Sequence, residues 1–92
     1  MRNVDLNLLV ALEVLLETQS VAEAARRLGL SPSAMSRTLS RLREVTGDPL
    51  LVRSGRALAP TPRAEEIQVS ISPVVRAAQQ LLRPKDKVEL GS

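Results

Sequence analysis

The stretch at residues 31–43, SPSAMSRTLSRLR, combines short hydroxyl side chains with guanidinium groups and contains no acidic residue. Such side chains can donate hydrogen bonds to phosphate oxygens and to base edges, because Arg carries five N–H donors and Ser carries one O–H donor. Arg37 and Arg41 are four residues apart, so on a helix they would lie on one face. The chemistry open to this stretch is therefore recognition of a nucleic acid by hydrogen bonding.

The excess positive charge of the chain lies in its middle third. The formal net charge is +3, yet the eight arginines between residues 26 and 63 face only two acidic residues there, Glu44 and Asp48. Such a cluster is typical of a protein that binds the phosphate backbone, whereas a solvated surface would mix in lysines and more acidic residues. The arginines are Arg26, Arg27, Arg37, Arg41, Arg43, Arg53, Arg56 and Arg63.

The amino-acid composition excludes several classes of function. The chain has no Cys, His, Phe, Tyr or Trp, so it cannot form a Cys/His metal site, a thiol nucleophile, a Ser-His-Asp triad or an aromatic platform for stacking bases. We therefore expect neither a metal site nor an enzyme. No apolar run approaches the roughly 20 residues of a membrane span, and no secretory signal pattern is present. A cytoplasmic protein without a membrane partner is expected.

Two helices are predicted ahead of the serine and arginine stretch. Asp5 can cap a first helix that runs to about Thr18, since leucines recur there at steps of three and four residues. Ser20 followed by Glu23 is a capping box that opens a second, alanine-rich helix. A glycine turn at position 29 can end that helix, because Gly adopts positive φ readily, and Leu30 is then expected to return to the core.

A third helix is predicted to start at Ser31 as N-cap, with Pro32 at its first position. Helix, glycine turn and helix in this order form the helix-turn-helix pattern. Projected at 100° per residue, Met35, Leu39 and Leu42 share one narrow sector, and the opposite side is polar. A helix with this polar side fits the major groove of B-DNA. The polar side consists of Ser33, Ser36, Arg37, Ser40, Arg41 and Glu44.

Two short strands are predicted after the third helix. Residues 50–53 form an apolar run, residues 54–55 can turn the chain, and residues 57–59 can pair back. This pattern favours a β-hairpin wing, which would direct Arg53 and Arg56 at a neighbouring groove or its phosphates. The alternative is a plain loop with two exposed arginines.

A long fourth helix is predicted to begin at Thr61, as N-cap before Pro62, and to end near Arg83. At 1.5 Å per residue it would span roughly 30 Å and outrun so small a domain. Its far half is expected to have no packing partner within the chain, which predicts a homodimer through this helix. The apolar stripe consists of Ile67, Ile71, Val74, Val75, Ala78, Leu81 and Leu82.

The predicted fold class is mainly α, with a winged helix-turn-helix of three helices plus a two-stranded wing, followed by a long linker or dimerisation helix. The predicted organisation is a DNA-binding domain over residues 1–60, the linker helix over 61–83, and a flexible tail or cloning remnant over 84–92. We find no internal repeat in the sequence.

Residues 22–64, AEAARRLGLSPSAMSRTLSRLREVTGDPLLVRSGRALAPTPRA, resemble the DNA-binding domain of LysR-type transcriptional regulators. The resemblance extends from residue 4 to about residue 83. It rests on the alanine-rich second helix, the spacing of Ser31 and Ser36, Arg37, the Gly-Asp-Pro-Leu before the wing and the Pro-Thr-Pro before the last helix. The segment RSGRALAPTPRA is especially similar to the branch that contains nodulation regulators and activators of aromatic degradation.

This resemblance implies that the third helix enters the major groove, the wing touches the minor groove and the linker helix pairs antiparallel with that of a second subunit. Carried over by position, Ser31 and Thr61 would cap helices near phosphates. Pro32 stands where many relatives have Gln, so readout there would be apolar, shape-based or absent. Arg41 is added from the helical projection. The residues expected at the DNA are Ser31, Pro32, Ser33, Ser36, Arg37, Arg41, Arg53, Arg56 and Thr61.

The function predicted from these features is sequence-specific binding of double-stranded DNA by the DNA-binding fragment of a bacterial regulator, as a dimer on a near-palindromic operator. No cofactor is expected in the chain, since a small-molecule inducer would bind the family's C-terminal domain, which the sequence lacks. RNA polymerase would be a partner of the full-length regulator. A winged-helix module for protein interaction or dimerisation is the alternative. Within the DNA-binding class, the second choice is a stand-alone winged-helix repressor. Such a repressor would usually carry its own ligand pocket or metal site, and the chain has no His or Cys for a metal.

Overall fold

Four helices and one β-hairpin make up the described part of the computed structural model, which covers residues 6–83. The elements are α1 (Leu6–Thr18), α2 (Val21–Leu28), α3 (Pro32–Thr46), β1 (Leu51–Ser54), β2 (Ala57–Pro60) and α4 (Pro62–Leu81). This is the predicted architecture, a winged helix-turn-helix followed by a long helix. Asp5, the predicted cap of the first helix, and the predicted tail over 84–92 lie outside the described residues.

The ends of α2 and α3 follow the predicted capping pattern. The Ser20 hydroxyl accepts a hydrogen bond from the Glu23 N–H at 3.1 Å, and the Ser31 hydroxyl accepts one from the Ala34 N–H at 3.1 Å. Gly29 ends α2 with φ +69°, the left-handed conformation that glycine adopts without steric cost. Local hydrogen bonds therefore set the turn between the two helices.

The core is built of aliphatic and methionine side chains and lies among α1, α2, α3, the start of the wing and the inner face of α4. Its largest fully buried side chains are Leu15, Leu16, Met35, Leu50 and Leu51. The buried alanines of α2 face both neighbouring helices, and small side chains let helices approach closely.

Leu30, which was expected in the core, is 42% exposed, so that prediction is wrong. The backbone N–H of Leu30 donates to the Ala25 carbonyl and completes the end of α2. The Leu30 side chain therefore lines a surface groove together with Val10, Leu28 and Thr38 and does not enter the core.

Helix α4 packs lengthwise against α1. Ile71 and Val75 are 4% and 3% exposed. The Gln68 side-chain amide donates to the Leu16 carbonyl at 3.3 Å, and the Ser72 hydroxyl donates to the Glu13 carboxylate at 2.6 Å. The far half of this helix was predicted to have no packing partner within the chain. That prediction is wrong for the part of the helix up to Val75, because α1 covers it.

The wing is an antiparallel hairpin, as predicted, and not a plain loop. Leu51 pairs with Pro60, and Ser54 pairs with Ala57. The two-residue turn between the strands is Gly55–Arg56, one residue later than predicted. Gly55 has φ +63°, which glycine supplies at the first position of such a turn.

Candidate nucleic-acid interface

The outer face of α3 presents the predicted hydroxyls and arginines to solvent. Met35, Leu39 and Leu42 are at most 4% exposed and fix the inner face of the helix on the core. The side chains between them point outward because a helix turns 100° per residue. The predicted DNA contacts on this face are all exposed, namely Ser31, Pro32, Ser33, Ser36, Arg37 and Arg41.

Half of the arginines in the basic middle third are bonded within the chain. Three form ion pairs on the surface, which neutralise their charge without contributing much stability. The fourth donates to two backbone carbonyls. The pairs are Arg26 with Glu23, Arg27 with Glu17 at 3.1 Å, and Arg63 with Glu66 at 3.1 Å, and the carbonyl-bonded residue is Arg43.

The other four arginines have no such partner among residues 6–83. Arg37 and Arg41 on α3, Arg53 in β1 and Arg56 in the turn of the wing are exposed, and their guanidinium groups make no ion pair or side-chain hydrogen bond within this range. Their charges are uncompensated and their donors face water. We call these four the unpaired arginines. They are the same four that the sequence predicted at the DNA.

Thr61 does not join this exposed set. It is 9% exposed, and its hydroxyl donates to Asp48 Oδ2 at 2.7 Å while accepting from the Ala64 N–H at 3.0 Å. It caps α4 as predicted. Burial and these two hydrogen bonds turn the hydroxyl toward the protein, and a place for this cap near a phosphate stays a prediction.

The Asp48 carboxylate is stabilised in its ionised form. Hydrogen bonds from the Thr61 hydroxyl and then from the Leu50 N–H, at 2.8 Å, hold the pKa of Asp48 below its ordinary value, and the Arg63 cation lowers this pKa further. The carboxylate thus joins the segment before the wing to the start of α4.

We expect the stability difference between the wild-type protein and Asp48→Asn to depend on pH. A lowered folded-state pKa contributes stability that is present above the unfolded pKa, about 4 for Asp, and that is lost as pH falls through the folded value. The urea midpoint of unfolding should be higher for the wild type than for Asp48→Asn at pH 7. The difference between the two midpoints should narrow below about pH 4 as the measurements approach pH 3. A gap that is constant over this range would contradict the assignment. Other acids titrate in both proteins, so the difference isolates Asp48.

The role of Arg43 was missed by the sequence reasoning, which counted it only in the basic cluster. Its Nε donates to the Pro49 carbonyl at 2.8 Å and its Nη2 donates to the Leu51 carbonyl at 2.9 Å. The available signal was its position four residues after Leu39 and next to Leu42, at the border of the buried face. An arginine at that border can reach a neighbouring element.

The predicted dimerisation stripe of α4 divides into two sets. Ile71 and Val75 are buried against α1, and Ile67 and Ala78 are half-buried, so this set serves the chain's own core. The other set is open to a partner. It consists of Val74, Leu81 and Leu82, which are 52%, 84% and 68% exposed, together with Val69 at 81%, which lies outside the predicted stripe.

Residues 6–83 offer neither a cluster of metal-binding side chains nor a helix that could span a membrane. That part of the chain contains no group of three or more His, Cys, Asp or Glu side chains placed to hold a metal ion. It also contains no helix with the length and hydropathy needed to cross a membrane.

The order of the elements and the exposed polar face of α3 define a winged helix-turn-helix domain. Residues 6–65 match the family described as bacterial regulatory helix-turn-helix proteins of the lysR family. The chain therefore belongs to the LysR family, as the sequence resemblance indicated.

Its relatives include nodulation-type regulators. The chain is 48% identical over 80 residues to the HTH-type transcriptional regulator SyrM 2 of Sinorhizobium fredii, across 87% of this chain and 24% of that protein. It is 49% identical over 77 residues to Nodulation protein D 1 of Rhizobium meliloti, across 84% of this chain and 24% of that protein. These matches confirm the predicted similarity to the nodulation branch. The chain spans about a quarter of the length of these curated relatives.

Solved structures share the fold. The probable transcriptional regulator PA0477 from Pseudomonas aeruginosa superposes with a TM-score of 0.78 at 38% identity, over 86% of this chain and 26% of that one. The DNA-binding domain of BenM, solved in complex with catB site 1 DNA, superposes with a TM-score of 0.80 at 23% identity, over 94% of this chain and 97% of that one.

Proposed function

We propose that this chain binds double-stranded DNA sequence-specifically, as the DNA-binding domain of a bacterial LysR-type transcriptional regulator. One observation carries the proposal. The unpaired arginines lie on α3 and the wing, whereas the other arginines of the basic middle third are bonded within the chain. Uncompensated, exposed guanidinium groups on a helix-turn-helix and its wing are suited to phosphates and guanine edges.

In this proposal α3 enters the major groove. The short side chains of Ser33 and Ser36 let the backbone approach the bases, and Arg37 can donate two hydrogen bonds to guanine O6 and N7. Arg41 lies one turn further along the helix and is assigned to a phosphate or a second base. Arg53 and Arg56 are assigned to the adjacent groove and its phosphates.

We also propose a homodimer through α4 on a near-palindromic operator. The exposed apolar side chains Val69, Val74, Leu81 and Leu82 support it, because a monomeric protein rarely leaves several large apolar residues of one helix in water. A twofold dimer would read two half-sites in inverted order. The whole regulator would act in the cytoplasm, bind its inducer in a C-terminal domain and contact RNA polymerase.

The direct test is selection of bound duplexes from a random library at about physiological salt, where specific and non-specific affinities separate. Enrichment of an inverted repeat would support both the sequence reading and the dimer. Enrichment of one half-site alone would support DNA reading and contradict the dimer. If a folded protein enriched no sequence, the proposal would fail in favour of a protein-interaction module.

We expect Arg56→Ala to flatten the dependence of DNA affinity on salt. Each phosphate contact contributes a slope of about −0.9 to log K against log [salt], because binding releases one condensed counterion. Loss of one such contact should reduce the slope by about 0.9 when affinities are measured between 50 and 200 mM salt. Arg26→Ala, which removes an arginine already paired with Glu23, is the control and should leave the slope near the wild-type value. An unchanged slope for Arg56→Ala would remove this residue from the interface.

A further inference from the structure

The base of the wing is held by a side chain that reaches it from α3. Arg43 lies near the end of α3, and its guanidinium donates to the Pro49 carbonyl at 2.8 Å and to the Leu51 carbonyl at 2.9 Å. These two carbonyls flank Leu50, the residue immediately before β1. The Arg43 side chain therefore joins α3 to the point where the wing begins.

A second connection joins the same point to α4. Asp48 Oδ2 accepts hydrogen bonds from the Leu50 N–H at 2.8 Å and from the Thr61 hydroxyl at 2.7 Å. The Thr61 N–H donates in turn to the Leu50 carbonyl at 2.9 Å. Both backbone groups of Leu50 are thus bonded, and the two ends of the hairpin are joined through Asp48 and Thr61.

Leu50 has a backbone conformation that its own residue type does not favour. Its φ is +65°, in the left-handed region that a bulky side chain rarely adopts, and its side chain is fully buried. Such a conformation persists only where the surroundings fix it. The direction in which the chain enters the wing is therefore imposed by the buried side chain of Leu50 and by hydrogen bonds that Arg43 and Thr61 donate and that the Asp48 carboxylate accepts.

Apart from Leu51 at its base and Leu58, which packs against the core, the hairpin has no buried apolar side chain that could set its direction relative to α3. Residues 52–57 are exposed, Leu51 is buried at the base, and residues 58–60 are half-buried. Beyond its pairing with β1, β2 contacts α4. The position of the Gly55–Arg56 turn relative to α3 therefore depends on the few apolar contacts of Leu50, Leu51 and Leu58 and on the hydrogen bonds at the base of the wing.

We propose that Arg43, Asp48 and Thr61 are positioning residues that fix the angle between the wing and α3 and so allow Arg53 and Arg56 to contribute to DNA binding. The inference rests on the proposed DNA-binding function. Arg43 acts here through the wing and not by touching DNA, which separates it from Arg37 and Arg41 on the same helix.

The test is a double-mutant cycle on the 92-residue chain and a duplex that carries the selected sequence. Arg56→Ala is made in the wild type and in Arg43→Met, a variant that keeps an unbranched apolar chain but removes the donors. In the wild type, Arg56→Ala should reduce the salt slope by about 0.9. In the Arg43→Met background, Arg56→Ala should change the slope of log K against log [salt] by less than about half of its effect in the wild type. Coupled residues show such non-additive effects.

Two matched controls separate positioning from loss of charge or of stability. Arg41→Met removes the same charge from the same helix without touching the wing, so Arg56→Ala should keep its full effect in that background. Thr61→Ser keeps the hydroxyl and should preserve the wild-type coupling, whereas Thr61→Val should reduce the effect of Arg56→Ala as Arg43→Met does. If Arg43→Met does not fold, the Thr61 pair supplies the cycle.

A measurement without DNA keeps this inference distinct from the proposed function. Residual dipolar couplings of backbone amides report the orientation of the wing relative to the helices in the free protein. We expect the couplings of residues 51–60 to differ between Arg43→Met and the wild type, and the couplings of α1, α2 and α3 to be the same in both proteins. Unchanged wing couplings, or independent effects of Arg43→Met and Arg56→Ala in the cycle, would overturn the inference. A wild-type protein that selects no DNA sequence would instead overturn the proposed function, and the couplings would still decide whether these residues fix the wing.

Discussion

Arg37→Ala is expected to weaken binding to the selected duplex by about 1–3 kcal/mol, roughly 5- to 150-fold, and to relax the sequence preference at one base pair. Arg37 lies on the exposed face of α3, two residues beyond the buried Met35, and its guanidinium has no side-chain partner among residues 6–83. In the proposed complex, removing Arg37 leaves guanine O6 and N7 without their donors. The measurement is a binding isotherm on the selected duplex and on duplexes that differ only at the base pair assigned to Arg37.

Arg27→Ala is the matched control for Arg37→Ala. It removes the same residue type from the same helix-turn-helix, but its charge is already paired with Glu17 and Glu23, so its effect on affinity should be small. A loss for Arg37→Ala that is equal on every duplex would show a phosphate contact, and the base-reading role of Arg37 would then be wrong.

Met35→Ala is expected to destabilise the fold by about 2–5 kcal/mol. The Met35 side chain is fully buried and anchors the inner face of α3 on the core. Truncation removes its contacts and leaves a cavity that the surrounding leucines fill only in part. The loss is a large fraction of the stability of so small a domain, typically about 5–15 kcal/mol. Urea unfolding followed by circular dichroism measures the change.

Met35→Leu is the control, because it nearly conserves volume and should cost less than about 1.5 kcal/mol. It should also keep the DNA affinity of the wild type, since the outer face of α3 is unchanged. If Met35→Ala unfolded at the same urea concentration as the wild type, the placement of this face of α3 in the core would be contradicted.

The ends of α2 and α3 could be predicted because they depend on neighbours in sequence. Ser20 and Ser31 each bond an N–H three residues ahead, and Gly29 takes the left-handed conformation that ends α2. The hairpin was also predictable from its glycine turn and the apolar runs beside it. All these signals act within a few residues, so a linear sequence contains them.

The side-chain environments that the sequence did not predict depend on residues far apart in sequence. Thr61 bonds to Asp48, thirteen positions away, and is therefore turned toward the protein. Ile71 and Val75 match the helical spacing of a dimer interface equally well, but α1 covers them. Helical spacing shows that a face is apolar and does not show which surface covers it.

The order of the elements, the ends of α2 and α3, the wing and membership of the LysR family could all be predicted from the sequence, because capping, turn formation and family motifs are local properties. Only the tertiary structure decided which arginines remain unpaired and how the wing is held. Arg27 reaches Glu17 across ten positions, and Arg43 reaches the wing across six and eight. Whether a cation is neutralised within the chain or left for a ligand depends on which elements the fold brings within hydrogen-bond distance, and that distance is set by packing of the whole core.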